Sequence, residues 1–197
     1  ANMSHEIRTP MNAIIGFTNL LSKSEFSLEE KQYLNAIQTS GENLLVIIND
    51  ILDFSKLESG KVTFENIRFK LHELVLMLAE FMRPKTMEKN INLVVEIDDD
   101  IPETLVGDPT RLNQILINLV GNAIKFTNKG EVKITVSVLD ETDNKISLKF
   151  GVKDTGIGIP EESLTKIFES FTQAANDTSR KYGGTGLGLS ITRQLIE

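Results

Sequence analysis

Two amides and an ammonium recur on one face of a predicted helix in the second half of the chain. Asn118 and Asn122 are four residues apart, and Lys125 follows three residues later, so the three side chains share one helix face. Amide oxygens are hard ligands that suit Mg²⁺, which uses few protein ligands. The face could therefore hold a metal-bound polyphosphate, although a plain polar surface is an alternative interpretation.

A carboxylate and two glycines follow a predicted strand further along the chain. Asp154 comes directly after the strand, and Gly156 and Gly158 follow at alternate positions. Glycines permit a tight backbone and a close approach by a ligand. A carboxylate at a strand end can accept a hydrogen bond from an exocyclic amine, so the segment could bind a ligand that carries one. A turn capped by the aspartate is the other interpretation.

A third segment, residues 183–189, is rich in glycine and precedes a predicted helix over 190–197. Glycines before a helix N-terminus can form a phosphate cradle of backbone N–H groups. The segment lacks the Gly-Lys-Ser/Thr of a P-loop, and it follows a polar loop rather than the strand of a dinucleotide-binding motif. A flexible linker is the alternative. The polar residues 172–182 predict a mobile lid, in which Arg180 and Lys181 could reach phosphates.

The fourth candidate is His5, which stands beside Glu6 near the N-terminus. In a helix, His5 lies about 200° around the axis from Ile7, the first residue of an apolar seam. If the seam faces a partner helix, His5 faces water and is available for chemistry. An ordinary surface histidine would show the same pattern. The other histidine, His72, has no motif around it and is interpreted as structural or surface.

The elements that carry His5 form a predicted antiparallel helical hairpin. One helix spans residues 1–22, and Pro10 within it removes a backbone hydrogen bond and favours a kink. The second helix begins at a capping box of Ser27 and Glu30 and runs to about Leu57.

Both helices carry an apolar seam with alternating three- and four-residue spacing, which is typical of coiled-coil packing. The seam residues are Ile7, Met11, Ile14, Thr18 and Leu21 in the first helix, and Leu34, Ile37, Gly41, Leu44, Ile48, Ile51 and Ser55 in the second. Additional apolar residues widen the stripe beyond what two helices can bury. We therefore expect a homodimer that forms a four-helix bundle.

The remainder of the chain predicts an α+β domain in which helices cover one face of an antiparallel or mixed sheet. The predicted strands span residues 61–69, 91–97, 132–139 and 146–153, and the predicted helices span 71–89, 109–126 and 190–197. Asp108 as N-cap and Pro109 in the first turn mark the start of the helix that carries Asn118 and Asn122. The acidic triplet at 98–100 predicts a solvated turn rather than a metal site.

Composition excludes several classes of function. The net charge of −7 argues against a general nucleic-acid binder, because phosphate neutralisation needs clustered Lys and Arg. The sequence contains no cysteine, so disulfide scaffolds, thiolate zinc sites and cysteine nucleophiles are excluded. The longest apolar runs are far shorter than the ~20 residues that span a bilayer, so we expect no direct membrane contact from this segment.

Together with residues 168–171, and in this order and spacing, the four segments resemble the catalytic core of a sensor histidine kinase of two-component signalling, and the resemblance covers essentially the whole chain. Residues 4–12 resemble the H box, 118–127 the N box, 154–160 the G1 box, 168–171 the F box and 184–188 the G2 box. Met11 and Asn12 after Pro10 are similar to the H box of hybrid kinases, which often carry a receiver domain downstream.

The resemblance implies roles for the N-terminal residues. His5 would be the phosphoacceptor, whose imidazole attacks the γ-phosphorus of ATP, and Glu6 would be the general base that takes the proton of the other ring nitrogen. Thr9, one helical turn later, would orient water for the reverse phosphatase reaction, and Asn12 shares that face. Arg8 would balance charge around the phosphohistidine.

The resemblance also implies an α/β sandwich ATP-binding domain of the Bergerat type, with ATP and Mg²⁺ as cofactors. Asn122 would be the first choice for Mg²⁺, Asn118 a second metal ligand, and Asp154 the acceptor of the adenine amine. Other residues expected to bind ATP are Lys125, Phe126, Gly156, Gly158, Ile159, Phe168, Arg180, Lys181, Gly184, Thr185, Gly186, Leu187 and Gly188.

The implied organisation is a dimerisation and histidine-phosphotransfer hairpin at residues 1–58 and a catalytic ATP-binding domain at 61–197, joined by a hinge near 57–61. Against the family pattern, several helical turns before His5 and the closing strands after the last helix are expected to be missing. The expected partners are a second copy of the chain and a response-regulator receiver domain, cognate or fused. The expected location is the cytoplasmic portion of a membrane-bound sensor.

The resulting hypothesis is ATP-dependent autophosphorylation on a histidine, followed by phosphoryl transfer to a response-regulator aspartate, with phosphatase activity as an accompanying option. One alternative is a degenerate kinase that acts as a nucleotide-sensing dimeric scaffold, against which the intact His5, Asn122 and Asp154 argue. Another is a Bergerat-type ATPase of the chaperone or topoisomerase kind, which hydrolyses ATP with water and needs no acceptor histidine.

Overall fold

The computed structural model describes residues 2–22, 24–60, 62–170 and 186–197, with residues 2–6 described by their backbone. The chain divides into two compact units, Ala1–Lys61 and Val62–Glu197. None of the helices in the described part of the chain combines the length and the apolar character that a membrane span requires.

The first unit is a pair of helices, α1 (Asn2–Leu21) and α2 (Leu28–Glu58). Helix α1 continues through Pro10. The Ser27 hydroxyl accepts a hydrogen bond from the Glu30 backbone N–H at 3.3 Å, and the Glu30 carboxylate accepts one from the Ser27 N–H at 2.8 Å. This reciprocal capping box satisfies two of the backbone donors that a helix start leaves unpaired. The two predicted helices and the capping box are therefore confirmed.

The contact between α1 and α2 includes Gly41, which is buried in α2. A Cβ added at Gly41 would lie 3.1 Å from Ile15 Cγ1 and 3.3 Å from Met11 Cε, so a larger residue would press on both side chains. Thr18 is buried as well, whereas Ile14 is 45% exposed. Ile15, which is not part of the predicted seam, also faces α2, because the apolar stripe is wider than one partner helix can cover.

An open apolar groove runs along the hairpin beside this contact. It is lined by Met11, Ile14, Ala36, Ile37, Ser40, Gly41 and Leu44, and we call it the hairpin groove. Further apolar residues of the two helices are also exposed, among them Ile7 and Ile51. A single hairpin thus leaves much of its apolar stripe uncovered.

The second unit contains a three-stranded sheet, a two-stranded ribbon and helices. Within its described residues, the strands are β1 (Ile67–Phe69), β2 (Ile91–Ile97), β3 (Leu105–Gly107), β4 (Gly130–Thr142) and β5 (Lys145–Asp154). The α-helices there are α3 (Leu71–Glu88), α4 (Pro109–Phe126) and α5 (Gly188–Ile196), and a 3-10 helix spans Glu161–Ser163. The sheet order is β2–β4–β5, with β2 parallel and β5 antiparallel to β4, and β1 pairs antiparallel with β3. The predicted mixed sheet is confirmed.

Three strand predictions need correction. The strand predicted over 61–69 is shortened to β1, because its partner β3, which was not predicted, offers only three residues. Before β1, the Glu65 N–H donates instead to the Asp108 carboxylate at 3.0 Å. The strands predicted over 132–139 and 146–153 extend as β4 and β5 into the polar residues 140–145 between them, until Thr142 pairs with Lys145, since polar residues can continue a ladder where both faces meet water.

Helices cover one face of the sheet, as predicted. Val132, Ile134 and Val136 of β4 are buried, whereas Lys133 lies between them on the opposite face and pairs with Glu96 at 2.5 Å. The buried face packs against residues of α3 (Leu71, Val75, Leu78 and Met82) and of α4 (Leu116, Val120, Ala123 and Ile124). Because full burial of an aliphatic side chain stabilises by about 1.5–3 kcal/mol, α4 is firmly fixed on the sheet.

Candidate functional site

The residues expected to take part in phosphoryl transfer lie on α1. His5 and Glu6 belong to its first turns, and Thr9 and Asn12 lie further along at exposed positions. The Arg8 guanidinium donates a hydrogen bond to Asn49 Oδ1 at 2.9 Å. Asn49 on α2 was not singled out from the sequence, because nothing local links residues 41 positions apart.

Helix α4 begins as its sequence predicts. The Asp108 carboxylate caps it by accepting a hydrogen bond from the Arg111 N–H at 2.9 Å, and Pro109 occupies the first helical position. The buried residues of α4 face the core, so the half-exposed Asn118 and Asn122 lie on its remaining polar side.

The structure gives Asn118 a defined partner in the glycine-rich segment. Its Nδ2 donates to the Gly188 carbonyl at 2.5 Å and to Thr192 Oγ1 at 3.2 Å. A Cβ at Gly188 would lie 2.5 Å from Asn118 Oδ1, so a larger residue would displace the Asn118 amide. Asn118 therefore joins α4 to the start of α5. Thr192 was missed because its contact depends on the tertiary fold.

Lys125 occupies the last turn of α4. Its Nζ lies 4.9 Å from the centroid of the Phe126 ring, within the range of a cation–π interaction. Burial lowers the pKa of the Lys125 ammonium below its ordinary value of 10.5. A partly desolvated ammonium gains from an anionic ligand, because an opposite charge favours its protonated form. The position therefore suits a phosphate.

The loop after β5 lies against the C-terminal end of α4. The Gly156 N–H donates to Asp154 Oδ1 at 2.8 Å, and the Ile157 N–H donates to the Phe126 carbonyl at 3.4 Å. A Cβ at Gly156 would lie 2.6 Å from the Phe126 carbonyl oxygen and 2.8 Å from Asp154 Oδ1. Gly156 therefore lets the loop and the helix end meet. We call these contacts the α4–β5 junction.

The rest of the loop is exposed. Gly158 has a φ of 70°, in the left-handed region that glycine occupies at little cost. Ile159 and Phe168 follow with side chains that are 48% and 39% exposed. Both apolar side chains are therefore open to solvent.

The described part of the glycine-rich segment leads into α5. Gly186 has a φ of 71°, and Gly188 is the first residue of α5. The side chain of Leu187 is only 1% exposed, so only its backbone could face a nucleotide. Arg180, Lys181, Gly184 and Thr185 lie outside the described residues, as does Phe171 of the segment 168–171.

The contact of Lys89, at the end of α3, with the end of α4 was not anticipated from the sequence. Lys89 Nζ donates to the carbonyls of Ile124 and Lys125, each at 2.8 Å, and of Thr127 at 3.3 Å. Thr127 itself is fully buried, and its Oγ1 has no hydrogen-bond partner within the described residues. A lysine near a helix end is common, and no sequence signal joins Lys89 to another helix.

The described side chains offer only a few oxygen ligands for the expected Mg²⁺. The described residues include no cluster of three or more His, Asp or Glu side chains that could hold a metal, the 98–100 triplet included. A fully protein-ligated site is therefore not formed by them, but Mg²⁺ keeps several waters and takes few protein ligands besides substrate phosphates. The half-exposed amide of Asn122 fits that requirement, and Asn118 retains its Oδ1 as a second possible oxygen ligand.

Two family models match the chain in consecutive segments. Residues 1–60 match the His Kinase A (phospho-acceptor) domain. Residues 107–197 match the histidine kinase-, DNA gyrase B- and HSP90-like ATPase domain. The two matches correspond to the helical unit and to most of the second unit.

Curated relatives match the chain over its whole length. The signal transduction histidine-protein kinase BarA of Escherichia coli K12 is 46% identical over 196 residues, which are 100% of this chain and 21% of BarA. The hybrid signal transduction histidine kinase K of Dictyostelium discoideum is 48% identical over 204 residues, which are 100% of this chain and 17% of that protein. The chain thus spans about a fifth of the length of these relatives.

Solved structures agree with these matches. Full-length ShkA in complex with AMPPNP superposes with a TM-score of 0.80 at 35% identity, over 99% of this chain and 39% of that one. Histidine kinase ThkA in complex with the response regulator protein TrrA gives a TM-score of 0.58 at 32% identity, over 100% of this chain and 53% of that one. The chain therefore belongs to the sensor histidine kinases, of which it forms a catalytic core of the hybrid type.

Proposed function

We propose that this chain transfers the γ-phosphoryl group of ATP to His5. One imidazole nitrogen of His5 attacks the γ-phosphorus in line, the bond from that phosphorus to the β,γ-bridging oxygen breaks, and ADP leaves. Glu6 takes the proton from the other ring nitrogen, so the product is a neutral phosphorylated imidazole with its charge on the phosphoryl oxygens. Phosphoryl transfer needs positioning and charge stabilisation more than covalent chemistry from the protein.

The observation that carries the proposal is the α4–β5 junction. Gly156 stands between the Phe126 carbonyl oxygen and Asp154 Oδ1, at 2.6 and 2.8 Å from its added Cβ. Lys125 directly precedes Phe126 on α4. The Lys125 ammonium and the Asp154 carboxylate, from distant parts of the chain, therefore both belong to residues at or next to the α4–β5 junction. In the proposed complex, Asp154 accepts the adenine amine and Lys125 faces the phosphates.

The remaining proposed ATP contacts involve residues that follow the α4–β5 junction along the chain and residues of α4 and α5. Gly156 and Gly158 would allow the backbone to approach the nucleotide, and Ile159 and Phe168 would contact its planar part. Backbone groups of Gly186, Leu187 and Gly188 would lie near the phosphates. Bound Mg²⁺ would neutralise phosphate charge, with Asn122 as its first protein ligand and Asn118 as a second.

The proposed division of labour assigns residues 1–58 to dimerisation and phosphotransfer and residues 61–197 to ATP binding. The hairpin groove supports a dimer, because Ile14, Ile37 and Leu44 are each more than 40% exposed in the single hairpin. A second hairpin would bury these side chains and complete a four-helix bundle. Transfer from the proposed ATP site to His5 then requires the two units to approach each other around residues 57–61.

We also propose that the phosphoryl group passes from His5 to an aspartate of a response-regulator receiver domain, cognate or fused. Thr9 lies one turn after His5, where its hydroxyl could orient a water molecule for the reverse phosphatase reaction, and Asn12 lies one further turn along. Because the proposed substrate is ATP, the reaction belongs to the cytoplasm, where this segment would form part of a membrane-bound sensor.

Incubation with γ-labelled ATP and Mg²⁺ tests the proposal. We expect acid-labile, base-stable label on the protein, lost in His5→Gln and retained in the matched control His72→Gln. Asn122→Ala should lower the labelling rate at limiting Mg²⁺. Label that persists in His5→Gln would contradict the proposed acceptor.

The same experiment separates the alternatives. Steady ATP hydrolysis without labelled protein would favour an ATPase that uses water as the nucleophile. Nucleotide binding with neither label nor hydrolysis would favour the scaffold, in which the chain senses a nucleotide as a dimer without transferring phosphate.

A further inference from the structure

Lys89 lies at the end of α3 but makes its hydrogen bonds to another helix. It is the C-cap residue of α3, and the following Asn90 has a φ of 53°, which turns the chain into β2. The half-buried side chain extends to the C-terminal end of α4. There its Nζ donates to three carbonyl oxygens, those of Ile124 and Lys125 at 2.8 Å and that of Thr127 at 3.3 Å.

An ammonium in this position matches the chemistry of a helix end. The last carbonyls of an α-helix have no intrahelical donor, and the helix dipole makes that end negative. A lysine supplies three donors and one positive charge, so a single side chain can satisfy three carbonyls at once. Hydrogen bonds to charged groups are stronger than those between neutral groups.

The choice of carbonyls has a consequence for the neighbouring loop. Lys89 binds the carbonyls on either side of Phe126, and the Phe126 carbonyl instead accepts the Ile157 N–H at 3.4 Å. The same Phe126 oxygen is the closest atom to an added Cβ at Gly156, at 2.6 Å. The turn that Lys89 fixes is therefore the surface against which the Asp154–Gly156 loop is placed.

We propose that Lys89 is a positioning residue for the nucleotide site. It holds the backbone of 124–127 so that Lys125 and the loop after β5 keep the separation that a nucleotide requires, without touching the nucleotide itself. This inference rests on the proposed function of the second unit as an ATP-binding domain.

The first test needs no ligand. Amide hydrogen exchange of Ile157 and Gly156 is compared between the wild-type chain and Lys89→Met, with Lys149→Met, an exposed lysine on β5, as the matched control. We expect exchange at these two amides to rise about tenfold in Lys89→Met, while amides of α5 and the control variant stay unchanged. Unchanged exchange at both amides in folded Lys89→Met would overturn the proposal.

The second test measures the dissociation constant of a fluorescent ATP analogue with Mg²⁺, at a temperature where every variant is folded. We expect Lys89→Met to bind about tenfold more weakly, which corresponds to about 1.4 kcal/mol. Lys89→Arg should recover most of the affinity, because its guanidinium also donates to several carbonyls. If Lys89→Met does not fold, Lys89→Gln, which keeps two donors without the charge, is measured instead.

The outcomes distinguish this inference from the function on which it rests. Failure of the wild-type chain to bind nucleotide would contradict the ATP site. The exchange measurement would still test whether Lys89 positions the loop after β5. A lower melting temperature in Lys89→Met with unchanged nucleotide affinity would overturn the positioning role. Lys89 would then only stabilise the C-terminal end of α4.

Discussion

The substitution Gly156→Ala tests the geometry of the α4–β5 junction with a single methyl group. Gly156 is not among the glycines with positive φ, so alanine imposes no backbone strain there. Its Cβ would lie 2.6 Å from the Phe126 carbonyl oxygen, where ordinary contact begins at 3.4 Å, a shortfall of 0.8 Å. The opposing atom belongs to the backbone of a helix packed in the core, so it cannot move aside at low cost.

The clash must therefore be relieved by moving the loop. Inserting a methyl group into a packed site costs about 1–3 kcal/mol. Displacing the loop also weakens the hydrogen bond from the Ile157 N–H to Phe126 and shifts Asp154, whose Oδ1 is 2.8 Å from the added Cβ. We expect the free energy of unfolding to fall by about 1–3 kcal/mol and ATP-analogue affinity to fall about tenfold or more.

Urea denaturation and titration with a fluorescent ATP analogue measure the two effects. The matched control is Gly121→Ala on α4, where an added Cβ meets no atom within 4 Å. Alanine there should raise the free energy of unfolding by up to about 1 kcal/mol, because it has the higher helix propensity. Equal stability and equal nucleotide affinity for Gly156→Ala and the wild type would refute the reasoning about the junction.

Three further predictions concern packing and charge. Gly41→Leu should destabilise the hairpin by about 1–3 kcal/mol in urea denaturation, whereas Gly16→Leu, with no atom within 4 Å of its added Cβ, should not; equal losses would contradict the tight helix contact. Since burial lowers the pKa of Lys125, the unfolded chain binds its proton more tightly, so wild-type stability should rise relative to Lys125→Met as pH increases from neutral towards 10.5; melting temperatures across this range test the sign. Thr127→Val should raise the free energy of unfolding by about 1 kcal/mol, because it removes a buried hydroxyl without a described partner; a decrease would mean that the hydroxyl is bonded in solution.

Local signals in the sequence predicted the helices well. Ser27 with Glu30 and Asp108 with Pro109 each mark a helix start, because the groups that satisfy a helix N-terminus lie within a few residues of it. The burial of β4 also follows its sequence, since the apolar residues Val132, Ile134 and Val136 are buried at every second position of the predicted strand.

Strand limits depended on partners that the sequence does not reveal. The alternation before Phe69 predicted a long strand, but β1 is short because β3 offers three residues. The hairpin contact shows a related limit. Periodicity did not single out Ile15, which lies 3.1 Å from an added Cβ at Gly41, because Ile14 and Ile15 are both apolar and adjacent.

The site residues were found by type and spacing, but their partners were not. Asn118 was expected beside Mg²⁺, and its amide nitrogen binds the Gly188 carbonyl, 70 residues away. Lys89 carried no motif at all, and only the tertiary fold brings it to the end of α4. Such contacts follow from the packing of whole elements rather than from the residues next to them.

The parallel pairing of β2 with β4 has a consequence for folding kinetics. Parallel neighbours cannot be joined by a tight turn, so the chain must cross over through residues 98–129 before Ile91 can meet Gly130. Helix α4, which carries Asn118 and Asn122, lies within that crossover. Non-local pairing of this kind slows folding, because loop-closure entropy is lost before the contacts form. Substitutions that weaken the docking of α4 should therefore slow the folding of the second unit, even where they leave the proposed nucleotide contacts of this helix intact.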